Sequence, residues 1–204
     1  MPSSASGRRE QTTIFICSDH GFFPVLKEIR PNVRLKQLNL AKADGDKVTE
    51  KTVICRSEGG ACGVYIHDDA RRSELIAQLK TELASLDGVD KVYTPEQFGE
   101  IGQPTLTEDP RGADLWLSAK REYAFADSAG GDHVVVAKES QVGTHGYRPD
   151  QPDLQATCIV WGAGVKPGTK LGPIRNVDIA PTMARVLGVE LPAVDGRVLP
   201  GIGE

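Results

Sequence analysis

Short apolar runs separated by polar turns organise the chain. Thr12 to Cys17 (TTIFIC) is a nearly continuous β-branched and aromatic run, the pattern of a strand buried on both faces within a parallel sheet. It stops abruptly at Ser18-Asp19-His20-Gly21, and the carboxyl end of a buried strand is where open α/β sheets place their ligands. Further strands are expected over Thr52–Cys55, Cys62–His67, Val89–Tyr93 and Ala113–Leu117. Asp68 and Asp69 supply N-cap material for a helix reaching Leu86, with Leu75, Ile76, Leu79, Leu83 and Leu86 on one face and Gly88 closing it. Thr94-Pro95-Glu96-Gln97 starts a short helical turn with proline at the first helical position. These elements make residues 48–126 a small α+β subdomain.

The core pattern resumes at His133–Ala137 and again at Ala156–Trp161, both candidate central strands. Asp178 is expected to cap a helix whose apolar face is Ile179, Met183, Val186 and Leu187, and Gly188 to end it. Pro181 is tolerated there because first-turn amides have no helical acceptor. Asp195-Gly196, between Val194 and Arg197-Val198-Leu199, is a hairpin-type turn signal. The expected architecture is α/β: a parallel-sheet core from residues 12–47 and 127–204, an inserted α+β subdomain at 48–126, and a flexible segment at 1–11.

Composition narrows the function. The 24 Lys+Arg and 28 Asp+Glu among 204 residues give a net charge of −4, which argues against binding nucleic acid by bulk charge. No window approaches the ~18 to 20 consecutive apolar residues of a membrane-spanning helix. Residues 1–11 are polar and basic without the apolar stretch of a secretory signal. Four cysteines (Cys17, Cys55, Cys62, Cys158) form no C-x-x-C pair. Two of them sit in apolar strand-like runs, where a buried free thiol is the commoner state, so cysteine usage does not decide the redox compartment.

Two clusters carry possible chemistry: Ser18-Asp19-His20-Gly21-Phe22, and Gly143-Thr144-His145-Gly146-Tyr147. Carboxylate and imidazole suit Zn²⁺ or Mn²⁺, and flanking glycines let the backbone bend so that such side chains converge. The plain structural alternative is that Asp19 caps a turn and both histidines are ordinary loop residues.

A third segment, Asn176-Val177-Asp178-Ile179-Ala180-Pro181-Thr182 running on to Leu187-Gly188-Val189 and Asp195-Gly196-Arg197, completes an ordered set. Together these segments, over about Thr12 to Leu199, resemble the alkaline phosphatase superfamily, most of all its type I phosphodiesterase/nucleotide pyrophosphatase branch. The resemblance implies an alkaline-phosphatase-like parallel-sheet core, here partial, and metal-dependent hydrolysis of phosphodiesters or phosphomonoesters. Asp19 and His20 would bind the metal that also contacts the nucleophile, and His145 would bind the second metal. The cofactor would be two divalent ions, Zn²⁺ foremost and Mn²⁺ the alternative, and the partner a small phosphoester. In such enzymes a hydroxyl attacks phosphorus and the covalent intermediate is then hydrolysed, while two cations neutralise the transition-state charge. The family also favours an exported protein.

The chain departs from that pattern in one respect. Two catalytic zinc ions want about three protein ligands each, and the matched motifs supply three residues in all. The family's nucleophile and remaining ligands precede the Ser-Asp-His-Gly strand, before which only eleven residues stand. Asp132-His133 starts an apolar strand, His67-Asp68 is better explained as a strand end and helix cap, Thr144 lies inside a ligand loop, and no Cys-x-Pro-x-Arg occurs. The catalytic nucleophile is therefore not identified.

The economical reading is the C-terminal part of a longer two-metal phosphohydrolase, inactive alone, with residues 48–126 as a cap over the substrate cleft. Its first strand would then expose an unpaired edge, giving self-association or docking of an upstream complementary segment. The alternatives are a noncatalytic structural or interaction module of the same fold and a phosphomutase of the same superfamily.

Overall fold

The computed structural model describes residues 10–203; most of the expected 1–11 segment, residues 1–9, lies outside the described residues. The chain runs through β1 (Thr13–Cys17), β2 (Phe23–Ile29), α1 (Pro31–Gln37), β3 (Ala41–Asp44), β4 (Lys47–Lys51), β5 (Val53–Ser57) and β6 (Ala61–Ile66). It continues through α2 (Arg72–Ala84), β7 (Val89–Tyr93), β8 (Leu115–Ala119), β9 (Glu122–Phe125), β10 (Val135–Thr144), β11 (Cys158–Gly162) and α3 (Ile179–Leu187). Two compact units result, one of Phe22–Leu154 and one of Met1–Gly21 with Gln155–Glu204.

The larger unit contains the main core. Leu75, Leu79 and Leu83 recur every four residues along α2 and are fully buried, forming one cluster with Val53, Cys55, Cys62, Val64, Leu115 and Leu117. Those six residues come from the four-stranded sheet β5-β6-β8-β7, antiparallel throughout. Asp68 accepts the Arg71 amide at 3.2 Å and so starts the helical turn that leads into α2, as the sequence pattern indicates. A three-stranded sheet, β10-β2-β9, and the β3-β4 hairpin complete the unit. Buried Asn32 on α1 ties β5 of the four-stranded sheet to the segment after β9: its amide reaches the carbonyls of Cys55 (3.0 Å) and Asp127 (2.9 Å), and its oxygen accepts the Cys55 amide at 2.9 Å.

In the smaller unit β1 pairs antiparallel with β11 as a two-stranded ribbon. This corrects the expectation that both strands sit inside a parallel sheet. The sheets are small and mostly antiparallel, and among the described residues β2 with β9 is the parallel pairing. β10 is likewise not a parallel central strand but pairs antiparallel with β2. Ile14 faces Trp161 across the ribbon and Ile16 faces Ile159, and all four are exposed. Their apolarity, which reads as burial on both faces, is left uncovered by a ribbon of two strands.

α3 begins and ends where the pattern places it, but its apolar side is open, with Leu187 73% exposed and Met183 also exposed. Asp178 also departs from the expected cap. It occupies the N-cap position of α3 without capping it, and its carboxylate instead accepts the backbone amides of Arg175 (3.2 Å) and Arg197 (3.0 Å). Asp195-Gly196 is therefore not a hairpin turn, and no strand flanks it. A Cβ on Gly196 would lie 1.9 Å from the Val177 carbonyl, so the segment passes α3's entry too closely for any other residue.

Candidate functional site

β1 ends in a locked corner. Ser18 donates its amide to the Thr157 carbonyl at 3.0 Å, and its hydroxyl accepts the Thr157 amide at 2.9 Å. Asn176, entering the turn before α3, donates its side-chain amide to the Asp19 carbonyl at 2.7 Å. The Asp19 carboxylate accepts the His20 amide at 3.1 Å and brings its other oxygen to 3.4 Å from His20 Nε2. His20 Nδ1 lies 3.0 Å from the Gly21 carbonyl. A carbonyl only accepts, so Nδ1 carries a proton in this contact. Metal-binding histidines commonly show this arrangement, their second nitrogen donating to a carbonyl.

The Asn176–Thr182 segment is the scaffold of this corner. Thr182 donates its hydroxyl to the Asp178 carbonyl at 2.6 Å and accepts the Leu199 amide at 3.0 Å. The Arg197 amide, with Arg175 beside it, holds the Asp178 carboxyl below the usual carboxylate range despite the opposing cost of desolvation.

His145 belongs to the larger unit, in the loop after β10. Its carbonyl accepts the Gly60 amide at 2.7 Å, and Phe22 meets its ring edge-on with centroids 6.2 Å apart. Gly146 has φ of +83°, and a Cβ there would lie 1.9 Å from the Glu58 carbonyl. Only glycine therefore fits between His145 and Tyr147. Tyr147 is buried, its ring 5.0 Å from that of Phe23 and its hydroxyl donating to the Tyr123 carbonyl at 2.7 Å; burial pushes its phenol up to about 12.

The secondary candidates have structural partners. Asp132 lies 3.7 Å from Lys36, Asp68 holds Arg71, and Thr144 closes β10 opposite Phe23. Asp19 and His20 together fit two positions of a metal's coordination shell, while His145 lies in the other unit. Among the described residues no group of three or more His, Cys, Asp or Glu side chains is placed to hold a metal ion. A catalytic zinc needs about three protein ligands, so the donor set is compatible with a metal but incomplete.

Residues 4–148 match the sequence profile of type I phosphodiesterase / nucleotide pyrophosphatase. The chain belongs to this family. Among solved structures, human ectonucleotide pyrophosphatase / phosphodiesterase 5 matches with a TM-score of 0.65 at 13% identity, over 94% of this chain and 44% of that one. The murine protein of the same name matches at 0.61 and 12% identity, over 90% and 43%. At such identity the likeness is one of fold, and the chain spans less than half the length of either family structure. No curated protein matches it by sequence. Among the described residues no helix is long and apolar enough to cross a membrane.

A cavity of about 370 Å³ opens beside His145 within the larger unit, with Tyr93, Trp116, Gln103, Glu58 and Arg148 in its wall. Tyr93 faces Trp116 across β7 and β8, and the small residues Ala61 and Ser118 leave room next to them. Arg148 is held by Asp150 and, at 3.2 Å, by Asp90, and its bond to Asp150 raises its pKa further. Sequence reading missed this cavity. Its signal is the alternation Leu115-Trp116-Leu117-Ser118, which buries both leucines and turns Trp116 and Ser118 to the opposite face.

Proposed function

We propose that the chain is part of a metal-dependent phosphoester hydrolase domain of the phosphodiesterase/pyrophosphatase type, inactive by itself. Asp19 and His20 hold one divalent ion and His145 a second, Zn²⁺ foremost and Mn²⁺ the alternative. The observation that carries this reading is the Asp19–His20 corner, where a carboxylate oxygen and the imidazole Nε2 converge within 3.4 Å. A bound ion of this kind supplies Lewis-acid stabilisation of phosphoryl charge. The chain's own residues set the frame for it: Gly21 fixes the imidazole proton, Asn176 fixes the Asp19 backbone, and Gly146 lets His145 turn at the end of β10. The nucleophile and the other ligands come from the part of the domain outside this chain, consistent with its match to 44% of a family structure.

In the same reading residues 12–47 and 127–204 contribute to the core of the domain and residues 48–126 form a cap. The cavity beside His145 receives the leaving group of the phosphoester, with Trp116 and Tyr93 suited to a planar one. The exposed Ile14, Ile16, Ile159 and Trp161 are covered by the complementary part of the domain, or by a second copy in its absence.

The test has two arms. Mn²⁺ or Zn²⁺ binding is measured calorimetrically in a Cys17→Ser/Cys158→Ser background, so that thiolates do not compete; binding should fall at least about tenfold in His20→Ala, and unchanged binding would remove the ligand assignment. Hydrolysis of bis(p-nitrophenyl) phosphate is then compared with a His145→Ala blank. No turnover above the blank is expected, and turnover lost in the variant would show a complete site instead of a partial one.

A second reading, a noncatalytic module of the same fold, is favoured by the incomplete donor set. Adding the upstream part of the domain in trans separates the two, because only the hydrolase reading expects activity to appear.

A further inference from the structure

Cys17 and Cys158 are partners in the β1–β11 register, and their sulfurs lie 3.7 Å apart. The ladder gives this pair its character. Ala163 donates to the Thr12 carbonyl at 2.9 Å and Ser18 to the Thr157 carbonyl at 3.0 Å, so the even-numbered residues of the β1 strand occupy the hydrogen-bonded positions. Cys17 and Cys158 therefore form a non-hydrogen-bonded pair, the kind whose Cα atoms approach to about 4.5 Å with side chains drawn together. That separation falls inside the range of roughly 4.4–6.8 Å that a disulfide spans. Cys17 is exposed and Cys158 half-buried, whereas Cys55 and Cys62 are wholly buried.

We infer that Cys17 and Cys158 are a modification site, closing to a cross-strand disulfide when the protein meets a small-molecule disulfide such as glutathione disulfide. The Cys17 thiolate attacks one sulfur of the reagent, releasing one glutathione thiolate and leaving a mixed disulfide. Cys158, deprotonated, then attacks the Cys17 sulfur and releases the second glutathione. The two thiols give up two protons and two electrons, and the reagent is reduced to two glutathione molecules. Cys17 is the exposed thiol of the two and Cys158 the half-buried one, so Cys17 makes the first attack on the reagent and Cys158 resolves the mixed disulfide. The bond would join the two chain segments of the smaller unit one residue before Ser18, at the base of the Asp19–His20 corner.

The experiment equilibrates the reduced, unaltered protein in a glutathione buffer poised near −200 mV. Free thiols are then alkylated, and the intact mass and a non-reducing peptide map are recorded. A loss of two hydrogens and a single Cys17–Cys158 linked peptide are expected, with Cys55 and Cys62 alkylated only after denaturation. Cys17 and Cys158 both remaining alkylatable at that poise would overturn the inference. So would a link from either to Cys55 or Cys62, or a dimer joined through Cys17. In Cys158→Ser the reaction should stall with one glutathione on Cys17, and absence of that adduct in folded protein would count against it equally.

Discussion

Asn176 donates its side-chain amide to the main-chain carbonyl of Asp19 across 2.7 Å, linking residues 157 positions apart in sequence. The bond fixes the backbone from which a carboxylate and an imidazole both project. Groups that orient ligands without touching the metal commonly govern affinity by about 10–100-fold. Asn176→Ala should therefore weaken Mn²⁺ binding at the Asp19–His20 pair by about tenfold with little change in the thermal midpoint. Equal affinity in the variant and the parent, measured calorimetrically, would leave Asn176 a structural tie only.

Gly146 sits against a backbone carbonyl that has no freedom to retreat. Adding a methyl group at a φ of +83°, 1.9 Å from the Glu58 carbonyl, forces the His145 loop away from the Glu58–Gly60 turn. Gly146→Ala should lose about 2–4 kcal/mol of stability to strain and displaced packing, read from urea unfolding. The Gly60 amide, which donates to the His145 carbonyl, should exchange faster with solvent in the variant. Unaltered protection would mean that the loop adapts elsewhere.

Much of this arrangement is legible in the pattern of residues, and the parts that are not have physical reasons. β7 and the α2 core face are visible because leucines at every fourth position and β-branched runs each bury one definite side. The Phe23–Ile29 strand is not, because Pro24 interrupts it and Leu26 points outward among charged neighbours. The apolar β1 and β11 runs identify strands but carry no information about partners. A run that looks fit for the middle of a parallel sheet here forms an antiparallel ribbon. In the candidate site, Asp19, His20 and His145 stand out as residue types beside glycines. Asn176 is visible as part of the third motif, but its bond to Asp19 is not, because it depends on a contact made across most of the chain.

Asp114 is the charged group on which the α2 attachment depends. It is 2% exposed, accepts the Ile66 amide at 2.7 Å and pairs with Arg72 at the start of α2. Removing the Asp114 carboxylate leaves the buried Ile66 amide without its acceptor. Asp114→Ala should cost about 1–3 kcal/mol in urea unfolding, whereas Asp69→Ala, which removes the exposed carboxylate on the same arginine, should cost under about 1 kcal/mol. Similar losses in both would show that the buried carboxylate has no special share.

Acid should release the Arg197–Leu199 segment from α3. The Arg197 amide, opposed by desolvation and helped by Arg175, holds the folded-state pKa of Asp178 below its ordinary value. A lowered folded pKa means that the contribution is present above the unfolded value of about 3.9 and is lost as pH falls through the folded one. The Arg197 amide resonance should therefore titrate in the acid range below that value, and Asp178→Asn should abolish the titration. A shift that persists in the variant would assign the acid response to another carboxylate.

The pairing of β1 with β11 has a consequence in time. Cys17 and Cys158, partners in the ribbon, are 141 residues apart, and chains are synthesised at about 5–20 residues per second. β1 therefore leaves the ribosome on the order of ten seconds before the strand it pairs with exists. Throughout that interval Ile14, Phe15 and Ile16 present a β-prone, uncharged edge without the β11 strand that pairs with it. Yield in cells should then depend on whatever shelters that strand during translation, so that slowing elongation lowers soluble yield even though the finished fold is unchanged.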